Sequence, residues 1–364
     1  MRINIKENLF YVPWTILIAN TILAQSYLSH YSYRCFTIVG ILLLIWRIIS
    51  QKTYKQSEFM CFLVLLLATA ITAYVSKDNR LLWCTIAIGA MEKINIQKII
   101  KITCYTMAAM IAVIAFSCIL LYGNVGTSLK GGLALGLGHP NILHGYFSLI
   151  IVMLVYLNWN KLRKSHIILL ELINLMLYLI TISRTGMGIL SIILLMILIY
   201  KICPTSFILK FYKIAALIGI GIFTILPILY YYNPENFILQ SIDSVMTGRL
   251  WQGAWYYNIS KIKLFGNYYE ELYVANPFAL LDMGFFRIII EYGIIAYLIF
   301  VTGYYKLLTY TMKTNVSMFF LIMLMILFSY TESLGTYVFF NVTLLGFSTV
   351  LFKANRNILL LGRR

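Results

Sequence analysis

Two short polar motifs interrupt the apolar sequence of this 364-residue chain, and both hold side chains that can bind or move charge. The motif SRTG at 183–186 places Arg184 inside the apolar stretch 167–200. A guanidinium keeps its proton near lipid, so it needs an anionic partner or a water-filled cavity. The motif GHPN at 138–141 supplies His139, an imidazole able to transfer protons near neutral pH. Arg184 is therefore predicted to be a buried cation that meets an anion.

The composition identifies an integral membrane protein. Hydrophobic residues make up 61% of the chain and charged residues only 11%, and apolar runs suited to roughly 30 Å of hydrocarbon recur throughout. We predict an all-α, multi-pass protein of the cell membrane, with 1–364 forming one domain of about twelve transmembrane helices. Some runs are too short to span lipid alone and are expected to be buried half-helices. The predicted spans are 10–28, 33–49, 58–75, 81–91, 102–122, 142–158, 167–182, 186–200, 214–232, 284–305, 316–332 and 336–352.

The distribution of charge predicts the orientation in the membrane. With the N-terminus inside, the inner segments hold 20 of the 29 Lys and Arg residues, as the positive-inside rule requires. Eight of the 12 acidic residues fall on the outer side. Both termini are therefore predicted to be cytoplasmic. The net charge of +17 reflects topology and does not indicate nucleic acid as a partner.

One long hydrophilic segment, 233–283, is predicted to be an extracytoplasmic loop. A loop of this length in a compact protein is usually functional. Within it, 237–258 has apolar residues at the spacing of an amphipathic helix lying on the membrane. Aromatic residues such as Trp251 are dense here. They suit an interfacial belt, and they also suit stacking on the apolar faces of sugars.

The charged motifs collect on the same predicted side of the membrane. GHPN and SRTG both lie at the outer ends of spans, and Asn141 is expected to cap the span that follows it, where open backbone amides attract anions. The hydrophilic segment contains GRL at 248–250 and LFG at 264–266, and 281–295 opens the next span. The charged candidates in these later segments are Arg249, Asp282, Arg287 and Glu291.

Taken in order, these motifs resemble a known family. GHPN, then SRTG between two short spans, then a large outer loop with GRL and LFG, then an acidic residue before a span that reads EYGII, are similar to the Wzy-type polymerases of capsular and exopolysaccharide repeat units. These belong with the O-antigen ligase-like glycosyltransferases, and the resemblance covers about 131–295. Asp282 is followed by Met283 where relatives often have Asn. The His that ligases have at the acidic position is absent, which favours a polymerase.

The resemblance implies a reaction on the outer face of the membrane. Oligosaccharide repeats linked to undecaprenyl diphosphate are joined when a sugar hydroxyl of one repeat attacks the anomeric carbon of the growing chain. Undecaprenyl diphosphate then leaves. The implied partners are the lipid-linked oligosaccharide and the lipid bilayer, with a flippase and a chain-length regulator as further candidates.

The residue types meet the needs of this reaction. Guanidinium groups stabilise the charge that develops on a leaving diphosphate, so Arg184 and Arg249 are the first candidates for that role. The attacking hydroxyl must also lose a proton, and the choice of base stays open. The catalytic candidates are His139, Arg184, Asp282 and Glu291, and the substrate-binding candidates are Arg249, Asn141, Arg287 and Trp251.

Each charged candidate also has a structural explanation. Arg184 could pair with Glu332 or Glu291 between helices. Arg249 could anchor the protein at lipid headgroups. Glu291 could cap Arg287 one helical turn away.

Other classes of protein share part of this pattern. No cluster of His, Cys or acidic residues has metal-site spacing, so neither a metal nor a cofactor is expected. A flippase or transporter of the lipid-linked oligosaccharide would share many spans and outer cations. An O-antigen-type ligase would use the same chemistry with another acceptor, and a non-catalytic docking protein would use the aromatic loop as its surface.

Overall fold

The computed structural model describes 5–51, 54–122, 131–268, 281–352 and 355. Part of the predicted outer loop, 269–280, and the ends of the chain, 1–4 and 356–364, lie outside the described residues. Within the described ranges the chain is all-helical and has no β-strand. This agrees with the apolar composition, because lipid offers no hydrogen-bond partners and the helix satisfies its own backbone.

The helices follow the predicted spans through most of the chain. In order they are α1 (Ile5–Ala24), α2 (Arg34–Ser50), α3 (Gln56–Ser76), α4 (Arg80–Ala90), α5 (Ile96–Tyr122), α6 (Pro140–Leu157), α7 (Lys164–Thr181), α8 (Arg184–Ile202) and α9 (Ser206–Tyr232). The outer loop then contains α10 (Phe237–Val245) and α11 (Arg249–Ile259). After it come α12 (Gly284–Thr314), α13 (Val316–Thr331), two 3-10 turns (Ser333–Thr336 and Val342–Phe347) and α14 (Ser348–Leu351).

Seven of the described helices are long and apolar enough to cross a membrane, namely α3, α5, α6, α7, α8, α9 and α12. The short α4 has eight of its 11 residues buried, which agrees with the expectation of a buried half-helix. Arg47 closes the end of α4 by donating to Ala90 O at 2.7 Å and Glu92 O at 3.1 Å. α6 and α13 are mostly buried at the centre of the bundle, whereas α7 is mostly exposed at its outside.

The prediction of a continuous helix over the last span, 336–352, is wrong. The structure has a 3-10 turn and the four-residue α14 there. Asn341, fully buried, explains the difference, because its side chain satisfies backbone groups that a helix would otherwise pair. Its Nδ2 donates to Gly335 O at 2.7 Å, and its Oδ1 accepts from Thr343 N at 3.2 Å.

The single amphipathic helix predicted at 237–258 is also wrong, because two helices meet at a sharp turn there. Thr247 and Gly248 have positive φ values of 58° and 82°, a conformation that ends α10. Asp243 then caps α11, since its Oδ1 accepts from Leu250 N at 2.7 Å and from Trp251 N at 3.1 Å. The turn therefore makes Arg249 the first residue of a new helix.

The LFG motif at 264–266 packs directly on the backbone of α12. A π-helical stretch at Ile288–Tyr292 interrupts α12, and Glu291 O accepts from Asn267 N at 3.2 Å. Gly266 has a φ of +90°, and a Cβ there would overlap Glu291 O. The close approach therefore requires glycine, and it attaches the end of the outer loop to the start of α12.

We predict that Gly266→Ala destabilises the protein more than Gly248→Ala. Both glycines have positive φ, which costs an alanine roughly 1–2 kcal/mol. At Gly248 a Cβ meets open space, whereas at Gly266 it meets backbone. Thermal unfolding in detergent should show a small decrease in Tm for Gly248→Ala and a clearly larger one for Gly266→Ala. Equal decreases would contradict the proposed close packing.

Candidate functional site

Arg249 lies at the centre of a cluster of charged side chains from separate segments. Its side chain is 8% exposed, and Nη2 donates to Glu332 Oε1 at 2.8 Å. Nε lies 3.8 Å from Asp282 Oδ2. Nη1 donates to Thr247 Oγ1 at 3.0 Å and to Met246 O at 3.3 Å, which fixes the guanidinium to its own turn. A single cation at the start of α11 thus lies beside Glu332, directly after α13, and Asp282, two residues before α12.

The start of α6 adds His139 and Asn141 to this cluster. Asn141 Nδ2 donates to Glu332 Oε1 at 3.4 Å. The prediction that Asn141 caps α6 is wrong. His139 is the cap and its Nδ1 accepts from Asn141 N at 3.1 Å, because Pro140 occupies the first helical position. This bond uses the Nδ1 lone pair, so Nδ1 cannot also take a proton from a substrate.

Burial changes the proton affinity of both carboxylates beside Arg249. It raises the pKa of Glu332 to about 7, the nearby Asp282 charge adds to the rise, and Arg249 opposes it. Burial also raises the pKa of Asp282, against the charges of Arg249, Arg287 and His139. Near neutral pH Glu332 is therefore partly protonated and can both accept and release a proton.

Arg287 and Glu291 lie behind the cluster and form a buried ion pair. Arg287 Nε donates to Glu291 Oε2 at 2.7 Å, and their side chains are 4% and 0% exposed. The roles predicted for them, catalysis for Glu291 and substrate binding for Arg287, stay predictions, and in the structure both side chains are buried and paired with each other. The structural explanation, pairing across one helical turn, matches the geometry. Arg287 still acts on the site electrostatically, through its effect on Asp282.

The series of charges continues from buried Glu291 toward α4, where Asp78 and Arg80 are partly exposed. Arg80 Nε lies 3.3 Å from Asp78 Oδ2, which also accepts from Tyr292 OH at 2.9 Å. The charge of Arg80 acts on Glu291. Each charge is thereby offset by a neighbour of opposite sign, as burial in a low-dielectric interior requires. The alternating series is Glu332, Arg249, Asp282, Arg287, Glu291, Arg80 and Asp78.

Arg184 is exposed, so the prediction that it is buried is wrong. Ile182 has a φ of +52° and ends α7, and Ser183 caps α8, so Arg184 is the first residue of α8, between the spans predicted at 167–182 and 186–200. Among the described residues Arg184 forms no ion pair. The alternative in which it pairs with Glu332 or Glu291 is also wrong, since those acids bind Arg249 and Arg287.

The aromatic residues of the outer loop divide into two environments. Trp251 is 49% exposed on α11, which fits either an interfacial belt or contact with a sugar. Lys261 Nζ lies 4.2 Å from the ring centroid of Tyr231 and 4.3 Å from that of Tyr257, so these two rings already hold a cation.

The headgroup-anchor explanation for Arg249 is wrong, because its guanidinium is buried and paired.

Glu332 belongs to the cluster, although it is not among the site residues predicted from the sequence. Glu332 is the single charged residue in the apolar stretch 316–352. The same reasoning that selected Arg184, a charge inside an apolar stretch, therefore applied to it. Asp78 and Arg80 were also missed, and only the structure shows that they extend the charged series.

Comparison with protein-family models, with curated proteins and with solved structures gives no match to this chain.

We predict that Glu332→Gln reduces the pH dependence of stability. A carboxyl whose pKa is raised on folding binds its proton more tightly in the folded state, so its contribution to stability is lost as pH rises toward and past about 7. The loss for Glu332 is up to roughly 3 kcal/mol between about pH 4 and about pH 8.

The measurement is Tm against pH for the wild type and the variant. The difference between the two curves should grow as pH rises, with the variant relatively more stable at high pH. Glu235→Gln, which removes an exposed acid of the outer loop, serves as the control and should follow the wild type. A pH-independent difference for Glu332→Gln would contradict the assignment.

Proposed function

We propose that this protein polymerises undecaprenyl-diphosphate-linked oligosaccharide repeats on the outer face of the cell membrane. The observation that carries the proposal is the cluster in which Arg249 lies between Glu332 and Asp282, beside the start of α6. The cluster combines a cation, Arg249, that can bind a leaving phosphate with a carboxylate, Glu332, whose pKa is raised to about 7. Both are needed to transfer a sugar from a diphosphate to a hydroxyl.

The reaction has two requirements, and different side chains meet them. The acceptor hydroxyl oxygen forms a bond to the anomeric carbon, while the bond from that carbon to the diphosphate oxygen breaks. Undecaprenyl diphosphate leaves with the electron pair. The hydroxyl proton passes to a carboxylate, for which Glu332 is the best placed. Glu291 is fully buried, whereas the Glu332 side chain keeps 13% exposure. His139 has its Nδ1 engaged, so we assign the proton to Glu332.

Proton transfer to Glu332 also changes the charge available to the leaving group. While Glu332 is ionised, Arg249 is paired at 2.8 Å. A protonated Glu332 no longer neutralises the guanidinium, so Arg249 gains net attraction for an anion as the leaving diphosphate develops its charge. Arg184, exposed and unpaired within the described residues, is the second cation proposed to contact the diphosphate. Asp282, with Oδ2 3.8 Å from Nε of Arg249, acts on the guanidinium through its charge.

A transporter and a ligase are the main alternatives, and each predicts a different product. A flippase or transporter would move the lipid-linked oligosaccharide between leaflets without changing its length. A ligase would transfer it to an unrelated acceptor. Through the family resemblance, the acid Asp282 at the position where ligases have His favours a polymerase over a ligase. A flippase and a chain-length regulator stay predicted partners of this proposed reaction.

We predict that purified protein in liposomes lengthens chains when given only undecaprenyl-diphosphate-linked repeats. Glu332→Gln should lower the elongation rate by about 10²–10⁴-fold, the usual range for loss of a general base. Arg249→Gln and Arg184→Ala should also reduce it. For the wild type the rate should rise with pH through about 7, because the ionised form of Glu332 is the base.

The control is Arg34→Ala, which removes an exposed cation at the start of α2, on the same predicted side of the membrane. It should keep wild-type activity. Product length is read by gel electrophoresis, and folding by size-exclusion chromatography and Tm. Movement of substrate between leaflets without any increase in length would favour transport, and unchanged activity of Glu332→Gln would remove the proposed base.

A further inference from the structure

α7 is attached to the bundle by polar residues. Of its 18 residues only Ile167, Asn174 and Thr181 are buried. They are spaced seven apart and so lie on one side of the helix. Two of the three are polar, which is unusual for the packed face of an apolar helix. Something on the neighbouring helices must satisfy them.

That partner is His144 on α6, a fully buried residue. Its Nε2 lies 3.0 Å from Asn174 Oδ1, and its Nδ1 lies 2.9 Å from Thr181 Oγ1. The Asn174 amide has one orientation, because its Nδ2 donates to Met187 O at 3.2 Å and to Ser191 Oγ at 2.9 Å. Oδ1 therefore faces the imidazole, and His144 donates from Nε2.

The same imidazole contacts the turn that carries Arg184. Thr181 Oγ1, which bonds His144, also accepts from Ser183 N at 3.3 Å. Ser183 Oγ in turn accepts from Gly186 N at 3.2 Å. Gly186 lies flat against the imidazole, where a Cβ would come within 2.5 Å of the ring. His144 thus contacts the SRTG turn through a hydrogen-bonded side and a packed side.

The helix that carries His144, α6, also contacts the charged cluster. His144 lies on α6 only three residues after Asn141, whose Nδ2 donates to Glu332. One rigid helical turn therefore separates the residue that binds Glu332 from the residue that holds the turn of Arg184. The position of Arg184 relative to Arg249 and Glu332 depends on this short path.

We propose that His144 is a positioning residue that fixes Arg184 relative to the Arg249–Glu332 pair. The inference rests on the proposed function, because it assigns Arg184 a place beside the same diphosphate. If only packing between α6 and α7 were required, apolar side chains would provide it without the cost of burying polar groups. The imidazole instead bonds both Asn174 and Thr181, and Thr181 accepts from Ser183 N, so this path defines one position for the start of α8.

The first test is a double-mutant cycle on elongation rate. His144→Phe keeps a ring but loses both hydrogen bonds. It should slow elongation by about a hundredfold, the loss expected from a misplacement of roughly 1 Å. In an Arg184→Ala background it should cause little further loss, because the group that His144 positions is already missing. If the rate losses of His144→Phe and Arg184→Ala simply multiply in the double variant, the proposal is overturned and His144 has a general structural role.

A second test does not depend on activity. Hydrogen exchange followed by mass spectrometry reports the amides of Ser183 and Gly186, which are bonded within the turn. They should exchange faster in His144→Phe. Ser148→Ala is the matched control, since Ser148 is buried on the same helix and its hydroxyl donates to His144 O within that helix. It should leave exchange in the turn unchanged.

The two tests separate the failure of this inference from failure of the proposed function. If the wild type does not elongate chains, the proposed function fails, and unchanged exchange in His144→Phe would independently overturn the positioning role. Should His144→Phe not fold, Thr181→Val removes the hydroxyl that links His144 to Ser183 N and that also donates to Leu177 O. It should give the same acceleration of exchange and the same dependence on Arg184, and the absence of both would overturn the proposal.

Discussion

The ion pair between Arg249 and Glu332 ties the outer loop to the helical bundle. A guanidinium that is almost fully buried is tolerated only when carboxylates neutralise it, and breaking one such pair leaves an uncompensated charge that costs several kcal/mol. Glu332 follows α13 and Asp282 precedes α12, so α11 cannot move away without exposing all three charges. The loop is therefore part of the site, and its position is set by charge.

Local backbone features position Arg249 for this ion pair. Asp243 caps α11, which places Arg249 at the first helical position facing the bundle. Gly266 allows the end of the loop to pack on the π-helical stretch of α12, and Glu291 within that stretch supports Arg287. The charges alternate in sign along the series, so each side chain is both held and neutralised by its neighbours. The support extends from the cluster at Arg249 to Asp78 at the start of α4.

Hydropathy predicted the helices well where apolar runs are long and uninterrupted, because burial in lipid favours a helix whatever the order of its residues. It failed at 336–352, where the Asn341 side chain forms hydrogen bonds with the backbone in place of helical ones. It also failed in the outer loop, where Thr247 and Gly248 have positive φ and divide the predicted helix into two. The periodicity of apolar residues does not reveal where a side-chain hydrogen bond or a positive φ interrupts a helix. The motifs correctly identified Arg249, Asn141 and Asp282 as residues of one region. They could not reveal which acid pairs with which arginine, since that depends on side-chain packing between distant segments.

The most direct test of this account is a cryo-electron microscopy structure of the protein in lipid nanodiscs with undecaprenyl diphosphate bound. The account predicts density for the diphosphate beside Arg249 and Arg184, with the carboxyl of Glu332 within reach of the sugar position. Diphosphate density bound elsewhere, with Arg249 and Glu332 remote from it, would contradict the central claim.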